Sequence, residues 1–205
     1  MVTPETVATF LPGAAGLGGF WSPVIERLPP TWRTQAVDLP GLGPVPPHPA
    51  VSSYDSLVDH VARAVSAPTV LVGQSMGGFV ALQLALRYPQ LVTHLVLVVA
   101  TGGVDMAACG ASDWRAEYYA SYPQAQDWAR DAVPDLTDQL RTLTIPVLLL
   151  WATHDILSPL SVARTIATEI AHARLVTFET DDHWVARRYP DETAKAIRAL
   201  LVGTR

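Results

Sequence analysis

The chain has a single cysteine, Cys109, so no disulfide can close within it, and no cysteine or histidine stands beside it at a ligand spacing. Neither a disulfide framework nor a metal site is expected. Basic residues are scarce as well: 14 Lys and Arg against 19 Asp and Glu give a formal charge of −5, and the cations form no dense run. The electrostatic footprint required by nucleic acid or an anionic membrane is therefore missing. Long apolar runs are absent too, since the longest, residues 95–100 and 145–152, fall far short of the roughly 18–20 residues that span a bilayer. The opening Met1-Val2-Thr3-Pro4-Glu5 carries no basic region ahead of an apolar core. The next residues read as a strand and a glycine loop rather than a signal peptide, so a cytoplasmic protein is expected.

What is present is apolar and regularly spaced. Hydrophobic residues make up 49% and charged residues only 16%, a balance suited to a sheet buried on both faces. Short β-branched or Leu-rich runs predict strands near 7–11, 34–37, 69–72, 94–99, 146–151 and 174–178. Helical stretches between them are predicted at 21–28, 54–66, 76–87, 159–171 and 190–202. The alternation predicts an α/β fold: one domain over residues 1–205 with a mostly parallel sheet of about six strands flanked by helices. It breaks at about 101–144, where Trp114, Tyr118, Tyr119, Tyr122 and Trp128 suggest a short lid. The alternative is that these aromatics merely pack a helical hairpin onto the body.

The sharpest local signal is Val70-Leu71-Val72-Gly73-Gln74-Ser75-Met76-Gly77-Gly78, followed by a helical pattern from Phe79 to Leu86. Gly-x-Ser-x-Gly between a strand and a helix places the serine on a strained turn, which only small flanking residues permit. The helix N-terminus beneath it turns free amides and the positive end of the dipole toward any developing oxyanion, with Met76 supplying one donor. Taken without its context the motif is common enough to arise by chance. A serine hydroxyl also needs a general base and an orienting carboxylate, which must come from elsewhere in the chain.

With this motif the sequence resembles the α/β-hydrolase family, and the resemblance extends over essentially the whole chain. It implies a serine–acid–histidine order and no cofactor. The acid is then Asp155, in Ala152-Thr153-His154-Asp155-Ile156-Leu157-Ser158-Pro159, which is similar to the family's Asp-x-x-x-Pro loop. The base is His183, in Asp181-Asp182-His183-Trp184, which is similar to its Gly/Asp-His-Trp loop. His154 is the one competing base, and Asp181 and Asp182 read as a solvated turn. The resemblance assigns Leu11-Pro12-Gly13-Ala14-Ala15-Gly16 to the glycine-rich oxyanion loop, with Ala14 as second donor and Pro12 where the family more often has His. Asp38-Leu39-Pro40-Gly41-Leu42-Gly43 resembles the Asp-x-Pro-Gly-x-Gly turn, a structural element. The antiparallel strand pair that usually opens the family body is missing ahead of residue 7.

The expectation is a serine hydrolase, a monomer or homodimer, that cleaves a carboxylic ester, thioester or lactone of a small-molecule substrate. Ser75 is the nucleophile, and Leu17, Phe20, Met76, Leu157 and Trp184 form the pocket wall. A short lid suggests a small or shallow acyl pocket, and the apolar wall a neutral, partly hydrophobic substrate. Two rivals use the same triad: a lyase or carbon–carbon bond hydrolase, in which Arg115 holds a substrate carboxylate, and a ligand receptor with slow turnover.

Overall fold

The structure, a computed structural model, describes residues 5–202; residues 1–4, which open the sequence, and 203–205 lie outside them. Six short runs, all but the second rich in Val, Leu and Thr, form one sheet: β1 (Val7–Leu11), β2 (Arg33–Ala36), β3 (Thr69–Gln74), β4 (Val92–Val98), β5 (Val147–Ala152) and β6 (Arg174–Phe178). The order is β2-β1-β3-β4-β5-β6 and every pairing is parallel. Among the described residues no antiparallel pair precedes β1. β3 and β5 are buried along their whole length, which their unbroken apolar runs allow only because both faces of the sheet are covered. β2 is short, polar and mostly exposed, as befits an edge.

The chain starts inside the sheet at β1, moves out to β2, then crosses back to β3 and continues to β6. The direction of winding therefore reverses between β1 and β3. Loops leaving these two strands diverge, and a crevice opens at their carboxyl ends.

The covering helices are α1 (Ser22–Ile25), α2 (Tyr54–Ala64), α3 (Met76–Arg87), α4 (Arg115–Ser121), α5 (Thr137–Leu140), α6 (Leu160–Glu169), α7 (Val185–Arg188) and α8 (Pro190–Val202). α3 is apolar all round and lies against β3 and β4, where ten of its residues are buried. The helix expected at 21–28 is instead a 3₁₀ turn, Gly18–Trp21, running into the single turn α1. The bonds beyond α1 are of the tighter i→i+3 kind, from the Arg27 amide to Val24 O (3.0 Å) and from the Leu28 amide to Ile25 O (3.1 Å). Pro23 starts this piece and Pro29-Pro30 stop it, leaving no room for a longer helix. Between β4 and β5, residues 101–144 carry α4, a 3₁₀ turn at Asp127–Arg130 and α5. A bridge between Gly103 and Asp135, with the Leu136 amide bonded to Gly103 O at 3.1 Å, closes the base of that segment.

Candidate active site

β3 ends at Gln74 and α3 begins at Met76, so Ser75 alone makes the turn between them. Its backbone sits at φ 53°, ψ −121°, a conformation that L-residues rarely adopt and that surrounding structure must hold in place. The hold is visible: the Ser75 amide donates to Val98 O (2.9 Å), and its carbonyl accepts from the amides of Gly78 (2.9 Å), Phe79 (3.3 Å) and Thr101 (3.1 Å). Gly77 lets α3 start against β1, because a Cβ there would lie 2.1 Å from Pro12 O and 2.7 Å from Leu11 O. Alanine in an open helix position gains about 0.5–1 kcal/mol over glycine. Here the clash with fixed main chain wins, and Gly77→Ala is expected to destabilise the fold by about 3 kcal/mol or more. Urea unfolding measures this, and a change below about 1 kcal/mol would show that the contact is soft.

The loops after β5 and β6 bring two further groups to Ser75. His183 Nε2 lies 2.9 Å from Ser75 Oγ, and His183 Nδ1 lies 2.6 Å from Asp155 Oδ2. The Asp155 carboxylate is buried, and its other oxygen accepts from the amides of Leu157 (2.8 Å) and Ser158 (3.2 Å). The Ser158 hydroxyl in turn donates to Ala100 O at 2.6 Å, fixing this loop to the end of β4. An imidazole held this way presents one nitrogen to the serine hydroxyl and can take up its proton. The competing base, His154, turns outward and pairs with Glu179 at 2.6 Å, both side chains largely exposed. Asp182 caps the His183 turn by accepting from the Trp184 amide at 2.7 Å.

Two free amides lie beside this chain of bonds. The amide of Met76, first residue of α3, and that of Ala14 have no acceptor among the described residues. Ala14 occupies the second position of a four-residue turn closed by the Gly16 amide on Gly13 O at 2.9 Å. At that position an amide has no partner inside the turn. This loop meets the 38–43 turn main chain against main chain. A Cβ on Gly16 (φ +76°) would lie 2.4 Å from Leu42 O, and one on Gly43 (φ +53°) 2.1 Å from Ala15 O. The Asp38 carboxylate adds a bond from the Gly18 amide at 2.7 Å.

Ser75, Ala14, Met76, Phe20, Leu157, His183 and Trp184 all line one cleft of about 250 Å³. Leu17 does not. It follows the chain reversal at Gly16, leads into the Gly18–Trp21 turn and is 47% exposed. The aromatics of 101–144 divide: Trp114, Tyr118 and Tyr122 line the cleft, whereas Tyr119 lies under the Arg130 guanidinium and Trp128 packs edge-on against Tyr54. The interval of four from 114 to 118 to 122 is the signal that separates the two groups, because such residues share one helix face. The pocket is also larger than the short 101–144 segment suggested. A second cavity of about 410 Å³ adjoins the first and shares Met76, Thr101, Trp114 and Leu157 with it. Sequence reasoning missed the polar side chains there, Asp105, Asp113 and Asp135, as well as Glu117 in the cleft. The Asp113 and Asp135 carboxyls are held below the usual carboxylate range, the first by amide and guanidinium donors of Arg115, the second by the hydroxyl and amide of Thr137. Among the described residues no group of three or more His, Cys, Asp or Glu could hold a metal ion, and no helix is long and apolar enough to cross a membrane.

Sheet order, switch point and serine turn together are those of the α/β-hydrolase fold. The chain belongs to that family: the alpha/beta hydrolase fold model matches residues 9–108, and the model for TAP-like proteins matches residues 111–204. It is 28% identical to a pimeloyl-[acyl-carrier protein] methyl ester esterase of Neisseria meningitidis, over 88% of this chain and 86% of that protein. It is 27% identical to a protein of the same name from Nitrosomonas europaea, over 93% of each. A thermophilic esterase from Thermogutta terrifontis superposes with a TM-score of 0.80 at 21% identity, covering 97% of this chain and 90% of the other.

Proposed function

We propose that this protein is a carboxylic ester hydrolase working through an acyl-enzyme on Ser75. The observation that carries the reading is the unbroken path from Ser75 Oγ through the His183 ring to the buried Asp155 carboxylate, beside two amides without acceptors among the described residues. His183 Nε2 takes the hydroxyl proton as Ser75 Oγ attacks the ester carbonyl, and the Met76 and Ala14 amides receive the charge that forms on oxygen. His183 then returns the proton to the leaving alkoxide, and the alcohol departs. Water repeats the sequence on the acyl-enzyme, releasing the acid and restoring Ser75. Asp155 keeps the ring in the tautomer with a free Nε2 and stabilises the imidazolium. Every step draws on protein groups and water.

Similarity to proteins named as methyl ester esterases supports an ester substrate over a thioester or lactone. The rival in which Arg115 holds a substrate carboxylate fits less well. Its guanidinium is already engaged by Asp113 (3.0 Å) and by the carbonyls of Arg130 (3.2 Å) and Asp131 (3.5 Å), and three carboxylates share its cavity. A field of that sign repels an acid.

Initial rates on p-nitrophenyl acetate, butyrate and octanoate test the reading. Two adjoining cavities give an acyl chain room, so kcat/KM is expected to rise from acetate to octanoate, by at most about fourfold per added methylene. Multiple turnover on all three esters supports a hydrolase, and the rise along the series supports an acyl site that extends toward the second cavity. Stoichiometric release with no further turnover would instead favour a receptor.

A further inference from the structure

The oxyanion turn is tied to the far side of the cleft by one hydroxyl. Tyr118, on α4, donates to Ala14 O at 2.8 Å and accepts from the Gly43 amide at 2.8 Å. One donor and one acceptor are used, which leaves this buried phenol satisfied. Its ring is fixed as well, packed edge-on against Trp114 and Tyr119 at 5.1 Å. Two further bonds join the same stretch to the 38–43 turn, from Gln124 Nε2 to Gly43 O (2.9 Å) and from the Gln126 amide to Gly41 O (2.9 Å).

The peptide that Tyr118 grips is the central one of the Gly13–Gly16 turn. Its carbonyl carbon is bonded to Ala14 Cα, so a bond that pins Ala14 O also restrains where Ala14 Cα and N sit. Here the second residue is Ala14, whose amide is the proposed oxyanion donor. That N–H belongs to the preceding Gly13–Ala14 peptide, whose carbonyl accepts the closing bond from Gly16, so the closing bond and the Tyr118 bond hold the donor residue from both sides, and such donors act only when preorganised.

We infer that Tyr118 is a positioning residue for the oxyanion site: its hydroxyl ties the Ala14 carbonyl to the Gly43 amide and so seats the residue whose amide is the donor. The inference rests on the serine hydrolase reading of Ser75. Burial pushes the Tyr118 hydroxyl up to about 12, so it remains a donor at any ordinary working pH. Because Trp114, Tyr118 and Tyr122 also wall the cleft, the helix that touches substrate carries the latch of the turn that stabilises its transition state.

The test compares the wild type, Tyr118→Phe and Tyr119→Phe on p-nitrophenyl butyrate and its thiono analogue, in which sulfur replaces the carbonyl oxygen. Tyr119→Phe deletes a hydroxyl bond of similar length, 2.9 Å to Gln126 O, on the same helix, and serves as the stability control. Sulfur is a weak acceptor, so the thionoester depends little on the oxyanion donors. Tyr118→Phe is expected to lower kcat on the oxygen ester roughly ten- to fiftyfold, short of the 10²–10³ typical of losing a donor outright, with KM within about twofold. Its effect on the thionoester should stay below about threefold, and Tyr119→Phe should match the wild type on both. Equal losses on both esters, or none, in an enzyme whose turnover still depends on Ser75 would overturn the inference alone. Wild-type turnover that does not depend on Ser75 would overturn the hydrolase reading and the inference together.

Discussion

Ser75→Ala is expected to lower kcat on p-nitrophenyl butyrate by about 10⁴–10⁶ while leaving the fold intact. On the serine hydrolase reading the loss is large because, among the described residues, the His183 ring is bonded to no other hydroxyl. Thr101 Oγ1 lies 3.4 Å from Ser75 Oγ, and no bond joins it to the imidazole. Stability should change little. The main-chain bonds that hold the turn run to the Ser75 amide and carbonyl, which alanine retains, and alanine meets the positive φ with the same Cβ as serine. Thermal unfolding within a few degrees of the wild type, beside a residual rate near background, is the expected pair of results. A loss of less than about tenfold would remove Ser75 from the chemistry.

Asp155→Asn is expected to cost about 10⁴ in kcat, and the reason can be read from its hydrogen bonds. Asp155 Oδ1 accepts from two amides, those of Leu157 and Ser158. An asparagine must place its own oxygen there, which turns its NH₂ toward His183 Nδ1. Two donors cannot face each other, so the ring shifts its proton to Nε2, the nitrogen that has to receive the proton of Ser75. The variant thus keeps the shape of the site and loses its direction of proton flow. KM should hold within about twofold, because Asp155 does not itself line the cleft. A fall of less than about tenfold would mean that His183 is oriented by another group.

Much of this arrangement was legible in the sequence because it is written locally. Every strand but the polar edge β2 is largely an apolar run of its own, and Ser75, Asp155 and His183 each follow such a run within a few residues. Parallel strands put all their carboxyl ends on one edge, so the three meet there whatever lies between them in the chain. Features that depend on distant contacts could not be read this way. Leu17 looked like pocket wall from its place in the glycine loop, but the reversal at Gly16 sends it to solvent. The helix expected at 21–28 yielded to its prolines. The bond from Tyr118 to Ala14 spans 104 positions, and the second cavity is made by segments that only the folded 101–144 chain brings together. Composition pointed to an apolar pocket, yet Asp105, Asp113 and Asp135 reach it from loops without periodicity.

The main-chain contact between the two glycine loops has a consequence for altering this protein. Gly16 against Leu42 and Gly43 against Ala15 meet main chain to main chain, so a side chain at either glycine would force the two loops apart. The loop that carries the Ala14 amide is thus set by backbone, whereas the opposite wall of the cleft is made by side chains on and beside α4, Trp114, Glu117 and Tyr122. Substrate preference can be redrawn on that helix while the reacting edge stays where it is, with Tyr118 as the one residue there that belongs to both.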